Sequence, residues 1–264
     1  MKAKRTGDSV DRCLRYGTLM LLAITALGLL SSGCAGVRVA SSGATYDSPE
    51  AALRELAASA AEGTIAATAR IKISYHGEQY PLKAAMMMRS PADLRLESIP
   101  LLGTPDFFLS IEEGELRVFL PGKETFYSGP ATRGNISRFL YLPLPATEIV
   151  ALLMGNLPEE WESADNWYGE REEEFYRVDR YLNGKKICSL WIDPVANLLI
   201  RVRAFTAGTE IAYTADFADY ARVGKGFLPH RLTISADGVS LALRYTDMSL
   251  LADDGASFAL PVPE

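Results

Sequence analysis

Thr64-Ile65-Ala66-Ala67-Thr68-Ala69-Arg70-Ile71-Lys72-Ile73-Ser74-Tyr75 is the stretch on which the fold turns. Within it Ala67, Ala69, Ile71, Ile73 and Tyr75 alternate with Thr68, Arg70, Lys72 and Ser74. A period of two sends the first set to one face of a strand and the second set to the other. One apolar face and one polar face suit an antiparallel sheet that is wet on one side. Gly77 and its neighbours supply a turn. A second run then sets Leu82, Ala84, Met86 and Met88 against Lys83, Met87 and Arg89. Past Pro91, Leu94 and Leu96 alternate with Arg95 and Glu97.

The same period continues toward the C-terminus. Residues 106–113, 115–120 and 124–128 are strand-like runs bounded by Gly or Pro. Residues 175–182 and 187–192 flank Asn183-Gly184, a strong hairpin signal. Asp193-Pro194 then turns the chain into 198–206, and 210–220, 228–236 and 239–250 follow. The count comes to about 10–11 strands in a mainly β chain.

Residues 131–157 interrupt the pattern. Asn135 to Leu140 fits one or two helical turns, and Ala146 to Met154 fits a helix closed by Gly155. Ile149, Val150, Leu152, Leu153 and Met154 make that helix apolar nearly all round, so it is covered on most sides or covers a cavity. Glu159 to Glu174 is acidic and reads as a solvated loop, or as a screen against acidic partners.

Upstream of the sheet, Asp47 or Ser48 can cap a helix whose first turn holds Pro49 and Glu50. Its small residues run on through Ala61, and Gly63 ends it. Before it, residues 35–47 read as a short tether. Lys2, Lys4, Arg5, Arg12 and Arg15 precede an uncharged run, Thr18 to Leu30, and Ser31-Ser32-Gly33-Cys34 follows. Thirteen helical residues rise about 20 Å, short of the ~30 Å hydrocarbon core, so this is a secretory signal and not a span. It resembles a bacterial lipoprotein signal, with Cys34 as the lipidated first residue of the mature chain. Ser31 stands where such signals usually carry Leu, and a plain signal cut near Ala40 is the alternative. The expected organisation is a signal at 1–33, a tether at 34–47 and one β domain at 48–264.

Removing residues 1–33 takes five of 27 basic and two of 33 acidic residues, leaving 22 and 31, a net −9. So acidic a surface argues against nucleic acid and against a polybasic membrane patch. Acyl chains have to supply the anchor, at ~0.8 kcal/mol per buried methylene. Cys188 is the one cysteine left beside Cys34 and reads as a small buried apolar residue. His76 and His230 have no partner at metal-ligand spacing. No nucleophile elbow, zinc-protease helix, phosphate loop or dinucleotide fingerprint occurs. No enzyme, metal or cofactor is expected.

Surplus apolar material is the remaining signal. Met86-Met87-Met88 offers adaptable side chains, or core filler. Ser98-Ile99-Pro100-Leu101-Leu102-Gly103-Thr104-Pro105 is a loop by its Pro and Gly, yet it is apolar. An exposed apolar tip marks a partner or membrane contact. The alternative is a loop folded back over the sheet.

Pro100-Leu101-Leu102-Gly103-Thr104 resembles the protruding loop of the LolB family, outer-membrane lipoproteins that receive other lipoproteins from the carrier LolA. Leu142-Pro143-Leu144-Pro145 running to Leu152-Leu153-Met154-Gly155-Asn156-Leu157-Pro158 resembles the family's helix. Trp191-Ile192-Asp193-Pro194 with Leu198, Ile200 and Arg201, and Gly226-Phe227-Leu228-Pro229, look like its hairpin and a late strand. The likeness covers about residues 50–250 in short apolar motifs. It implies an incomplete antiparallel β-barrel with covering helices over an apolar cavity for acyl chains. In that reading Met86, Met88, Leu94, Leu96, Phe107, Leu109, Val118, Leu120, Ile149, Leu152 and Leu153 line or cover the cavity. Leu101 and Leu102 touch the bilayer, and a LolA-like carrier is the partner. Ala35 after Cys34 favours the periplasmic face of the outer membrane by family analogy. The competing expectation is a tethered protein-interaction module with a filled core.

Overall fold

The computed structural model describes residues 45–158, 161, 166–206, 210–252 and 257–260. The expected signal, Cys34 and most of the tether lie outside the described residues. Ala44–Glu264 is a compact unit. Thirteen antiparallel strands form one sheet. β1 is Ile65–Tyr75, β2 Glu78–Arg89, β3 Asp93–Ser98, β4 Phe108–Glu112, β5 Glu115–Leu120 and β6 Thr125–Pro130. After the helical crossover come β7 Trp167–Glu172, β8 Phe175–Leu182, β9 Lys185–Asp193 and β10 Leu198–Phe205. β11 Ile211–Val223, β12 Gly226–Ala236 and β13 Val239–Leu250 complete it.

The order is β6-β5-β4-β3-β2-β1-β13-β12-β11-β10-β9-β8-β7. Two meanders, one for each half of the sheet, meet where the first and last strands pair. β6 and β7 do not pair with each other, so the sheet stays open, an incomplete barrel. Side chains alternate as the sequence predicts: Ala67, Ala69, Ile71 and Ile73 are buried, while Arg70 and Lys72 are exposed.

Two expectations need correction. Thirteen strands exceed the expected 10–11: each of the twelve strand-like runs forms a strand of its own, and part of the acidic run read as a loop is a thirteenth, β7. Glu170 and Glu172 are poor strand formers, but Arg177 of β8 pairs with both. The Trp191 indole N–H also donates to Glu172 at 3.1 Å. Charges on an edge strand oppose further pairing, which suits them to this position.

The first helix, α1 (Pro49–Ser59), begins as read: the Ser48 hydroxyl accepts the Ala51 N–H at 3.2 Å. It ends at Ser59, four residues before Gly63. Ala60 instead bridges to Phe227, and the Ser59 hydroxyl donates to the Asn197 carbonyl at 2.6 Å. Gly226 makes this docking possible, since a Cβ there would lie 2.1 Å from the Ala60 carbonyl oxygen.

Residues 131–166 carry the chain from β6 to β7 through α2 (Arg133–Leu140) and α3 (Ala146–Met154). Thr132 caps α2, and Gly155 closes α3 at φ +70 in the left-handed region. A Cβ on Gly155 would meet Pro229 Cδ at 2.7 Å, so glycine is required there twice over. Seven of the nine residues of α3 are buried. Cys188 is buried in the core, and burial pushes its thiol up to about 12, an inert group.

Residues 257–260 pack on the outer face of β3 and β4, which the sequence reading did not anticipate. The Ser110 hydroxyl donates to the Phe258 carbonyl at 2.6 Å, and Arg95 reaches the Ala259 carbonyl at 3.1 Å. The Arg89 guanidinium lies 4.8 Å from the buried Phe258 ring.

Candidate functional site

Inward residues of β1, β2, β3, β12 and β13 form an apolar floor, and α2 and α3 lie over it. Between them is a cavity of about 140 Å³. Met86, Leu94, Leu96, Phe107, Ile149 and Leu153 line it, six of the eleven residues proposed from sequence. Met88, Leu109, Val118 and Leu152 are instead buried in the packed core, and Leu120 packs against it half-buried. Ile71, Ile73, Leu82, Phe139, Leu140, Leu142, Ile234, Leu241 and Leu243 complete the wall. Those on β1, β12 and β13 carry the inward signal of strand alternation. What the sequence does not reveal is which inward residues face the void and which face a neighbour.

α3 is held at both ends. The Tyr213 hydroxyl donates to Glu148 in its first turn at 3.1 Å. The Tyr245 hydroxyl, fully buried, donates to the Leu153 carbonyl in its last turn at 2.9 Å and touches Met88 Sδ at 3.4 Å. The last carbonyls of a helix have no partner within it, so Tyr245 satisfies one that burial would otherwise orphan. Burial raises both phenols well above their ordinary range, so they remain donors across physiological pH.

A second cleft, about 510 Å³, lies beside α1 and is walled by Leu53, Leu56, Ala57, Ala60, Met154 and Leu157 among others. Trp167 also lines it, and its buried indole N–H has no hydrogen-bond partner among the described residues.

The apolar loop does not fold back. Leu101 and Leu102 are fully exposed, at 103% and 92% of the accessible area of a free residue. Its base is fixed by Ser98, whose hydroxyl donates to Asp106 at 2.6 Å and accepts the N–H groups of Asp106 and Phe107 at 3.0 and 3.1 Å. The Ile99 N–H donates to the Lys83 carbonyl at 2.7 Å. Everything between these anchors projects from the sheet. Ser98→Ala removes three hydrogen bonds at a buried site, and unfolding in urea should show a loss of about 1–3 kcal/mol. An unchanged midpoint would mean the loop base is held by the backbone alone.

No group of three His, Cys, Asp or Glu able to hold a metal occurs among the described residues. No helix among them is long and apolar enough to cross a membrane.

An open antiparallel sheet with helices laid across one face, over an apolar cavity, defines the class of domain. Solved structures of that class agree with it. One is a LolA superfamily protein from Nitrosomonas europaea (TM-score 0.55, 9% identity, covering 81% of this chain and 99% of that one). Another is a DUF1329 family protein from Desulfovibrio piger (TM-score 0.56, 13% identity, 79% and 93%). A third is a domain from Vibrio parahaemolyticus described as outer-membrane lipoprotein-sorting (TM-score 0.55, 12% identity, 77% and 92%). No family model matches the sequence, and no curated protein matches it. The domain has a LolA-like fold.

Proposed function

We propose that this protein is a lipid-anchored acceptor that holds an acyl chain of a lipoprotein between α3 and the sheet and passes it to the outer membrane. Cys34 carries the anchor, the loop at Leu101 and Leu102 meets the bilayer, and no chemical step is involved. The observation that carries the reading is the apolar cavity beneath α3. Its wall is built of Leu, Ile, Met and Phe with no charged side chain. The fully exposed Leu pair in the loop and the LolA-like fold support it. A LolA-like carrier is the proposed donor.

Volume decides how binding would proceed. A 140 Å³ void resembles the engineered ~150 Å³ cavities that take one benzene-sized molecule. It holds the tip of an acyl chain and no more, so α2 and α3 must lift for the rest to enter. The small void equally favours a second reading, a filled domain that binds a protein partner and no lipid.

The two readings separate in a titration of residues 44–264, the compact unit, with a fluorescent fatty acid. Saturable binding displaced by palmitate is expected. Absence of binding, together with no lipid co-purifying from cells, would leave only the interaction module.

A further inference from the structure

We propose that the outer face of β2, β1 and β13 is a docking surface for an anionic lipid bilayer, acting beside the Leu101-Leu102 loop and independently of the cavity. Lys83 on β2 lies directly opposite Arg70 on β1, and Arg70 directly opposite Arg244 on β13. Arg244 in turn opposes Arg231 on β12. Neighbouring strands are about 4.8 Å apart, so the row of four spans roughly 14 Å. Lys72 adds a fifth cation two residues along β1 from Arg70. All five are exposed.

Arg231 is paired with Asp219 at 2.6 Å. Arg70, Lys72, Lys83 and Arg244 take part in no ion pair or side-chain hydrogen bond among the described residues. The acids around them are either engaged or offset. Glu97 is held by Arg95, and Asp247 stands opposite Thr68, two residues along β1 from Arg70 on the side away from Lys72. Like charges placed directly across strands destabilise a sheet. Fold stability does not explain this row. Exposed and unpaired, Arg70, Lys72, Lys83 and Arg244 are free to meet an external counter-charge.

The identity of that counter-charge follows from what lies next to the row. The Lys83 carbonyl anchors Ile99 at the base of the loop that exposes Leu101 and Leu102. Apolar side chains beside unpaired cations are the composition of a surface that lies in a membrane interface. The residues flanking the cations on this face, Ala85, Ala242 and Thr233, are small, so the charged heads stand clear of the sheet. The net negative charge argued against a polybasic patch only because it averages over the whole surface.

The test is flotation of residues 44–264 with phosphatidylcholine vesicles, with and without phosphatidylglycerol. Tighter binding to the anionic vesicles than to the neutral ones is expected, and high salt should weaken the difference. Replacing Arg70, Lys83 and Arg244 together by Gln should lower that partitioning roughly 100-fold, at about 1 kcal/mol per cation near the surface. Its melting temperature should be unchanged or higher, because like-charge repulsion is relieved. Arg70→Lys with Arg244→Lys keeps the charge and should keep the binding, so the proposal stays testable if the Gln variant folds poorly. Equal binding to neutral and anionic vesicles, or a Gln variant that binds like the native chain, overturns the proposal. So does a native chain that ignores both vesicles while the Gln variant loses a complex with an acidic protein.

Discussion

Replacing Leu101 and Leu102 together by Glu should cut delivery of an acylated cargo into vesicles by about 10²- to 10⁴-fold. Burying one Leu contributes ~1.5–3 kcal/mol, so the pair contributes about 3–6 kcal/mol to membrane contact, and two carboxylates reverse its sign. The native fold should not register the change. Both side chains are fully exposed, and the hydrogen bonds at the loop base belong to Ser98, Lys83, Asp106 and Phe107. Acyl-probe affinity should also hold, because neither residue lines the cavity. Transfer from a loaded soluble carrier to vesicles, read beside a thermal melt and a probe titration, separates the outcomes. Normal delivery removes the loop from the mechanism, and a lowered melting temperature would mean that the pair packs against the protein.

The contrast between this loop and its surroundings shows what the sequence could convey. Strand alternation from Ile65 onward was legible because burial on one face demands it, and the observed pattern follows it from Ile65 to Ile73 before both Ser74 and Tyr75 become half-buried. Gly155 and the Asn183-Gly184 turn were legible because a left-handed backbone selects few residues. β7 was not legible, because its Glu residues are satisfied by Arg177 and Trp191, which arrive from neighbouring strands. The early end of α1 depends on a bridge from Ala60 to Phe227, again a distant partner. The cationic row was hidden for a similar reason. Lys83, Arg70 and Arg244 are scattered along the chain, and only register brings them into line.

The cavity was half legible. Inward alternation marks every strand residue that can face the interior, but Met88 and Met86 carry the same signal. Met86 borders the void, while Met88 sits under the Tyr245 hydroxyl. Which of them meets empty space depends on where α3 settles, and that depends on Tyr213 and Tyr245, far along the chain.

Tyr245 therefore offers the sharpest test of whether the helix opens. Tyr245→Phe removes the donor that satisfies the Leu153 carbonyl, leaving that acceptor buried and unpaired in the closed form. The cost to the closed form is about 1–2 kcal/mol. If α3 lifts to admit a chain, water can reach the carbonyl in the open form, which does not bear this cost. The open fraction then rises about 5- to 30-fold, and apparent acyl affinity rises with it, since a ligand that needs a minor state pays for its rarity. The variant should thus be less stable in urea and bind the acyl probe more tightly, two effects of opposite sense from one oxygen atom. A filled domain predicts only the first. Loss of stability with no gain in probe affinity would place α3 among the fixed elements of the core, and the proposed acyl site would have to be abandoned.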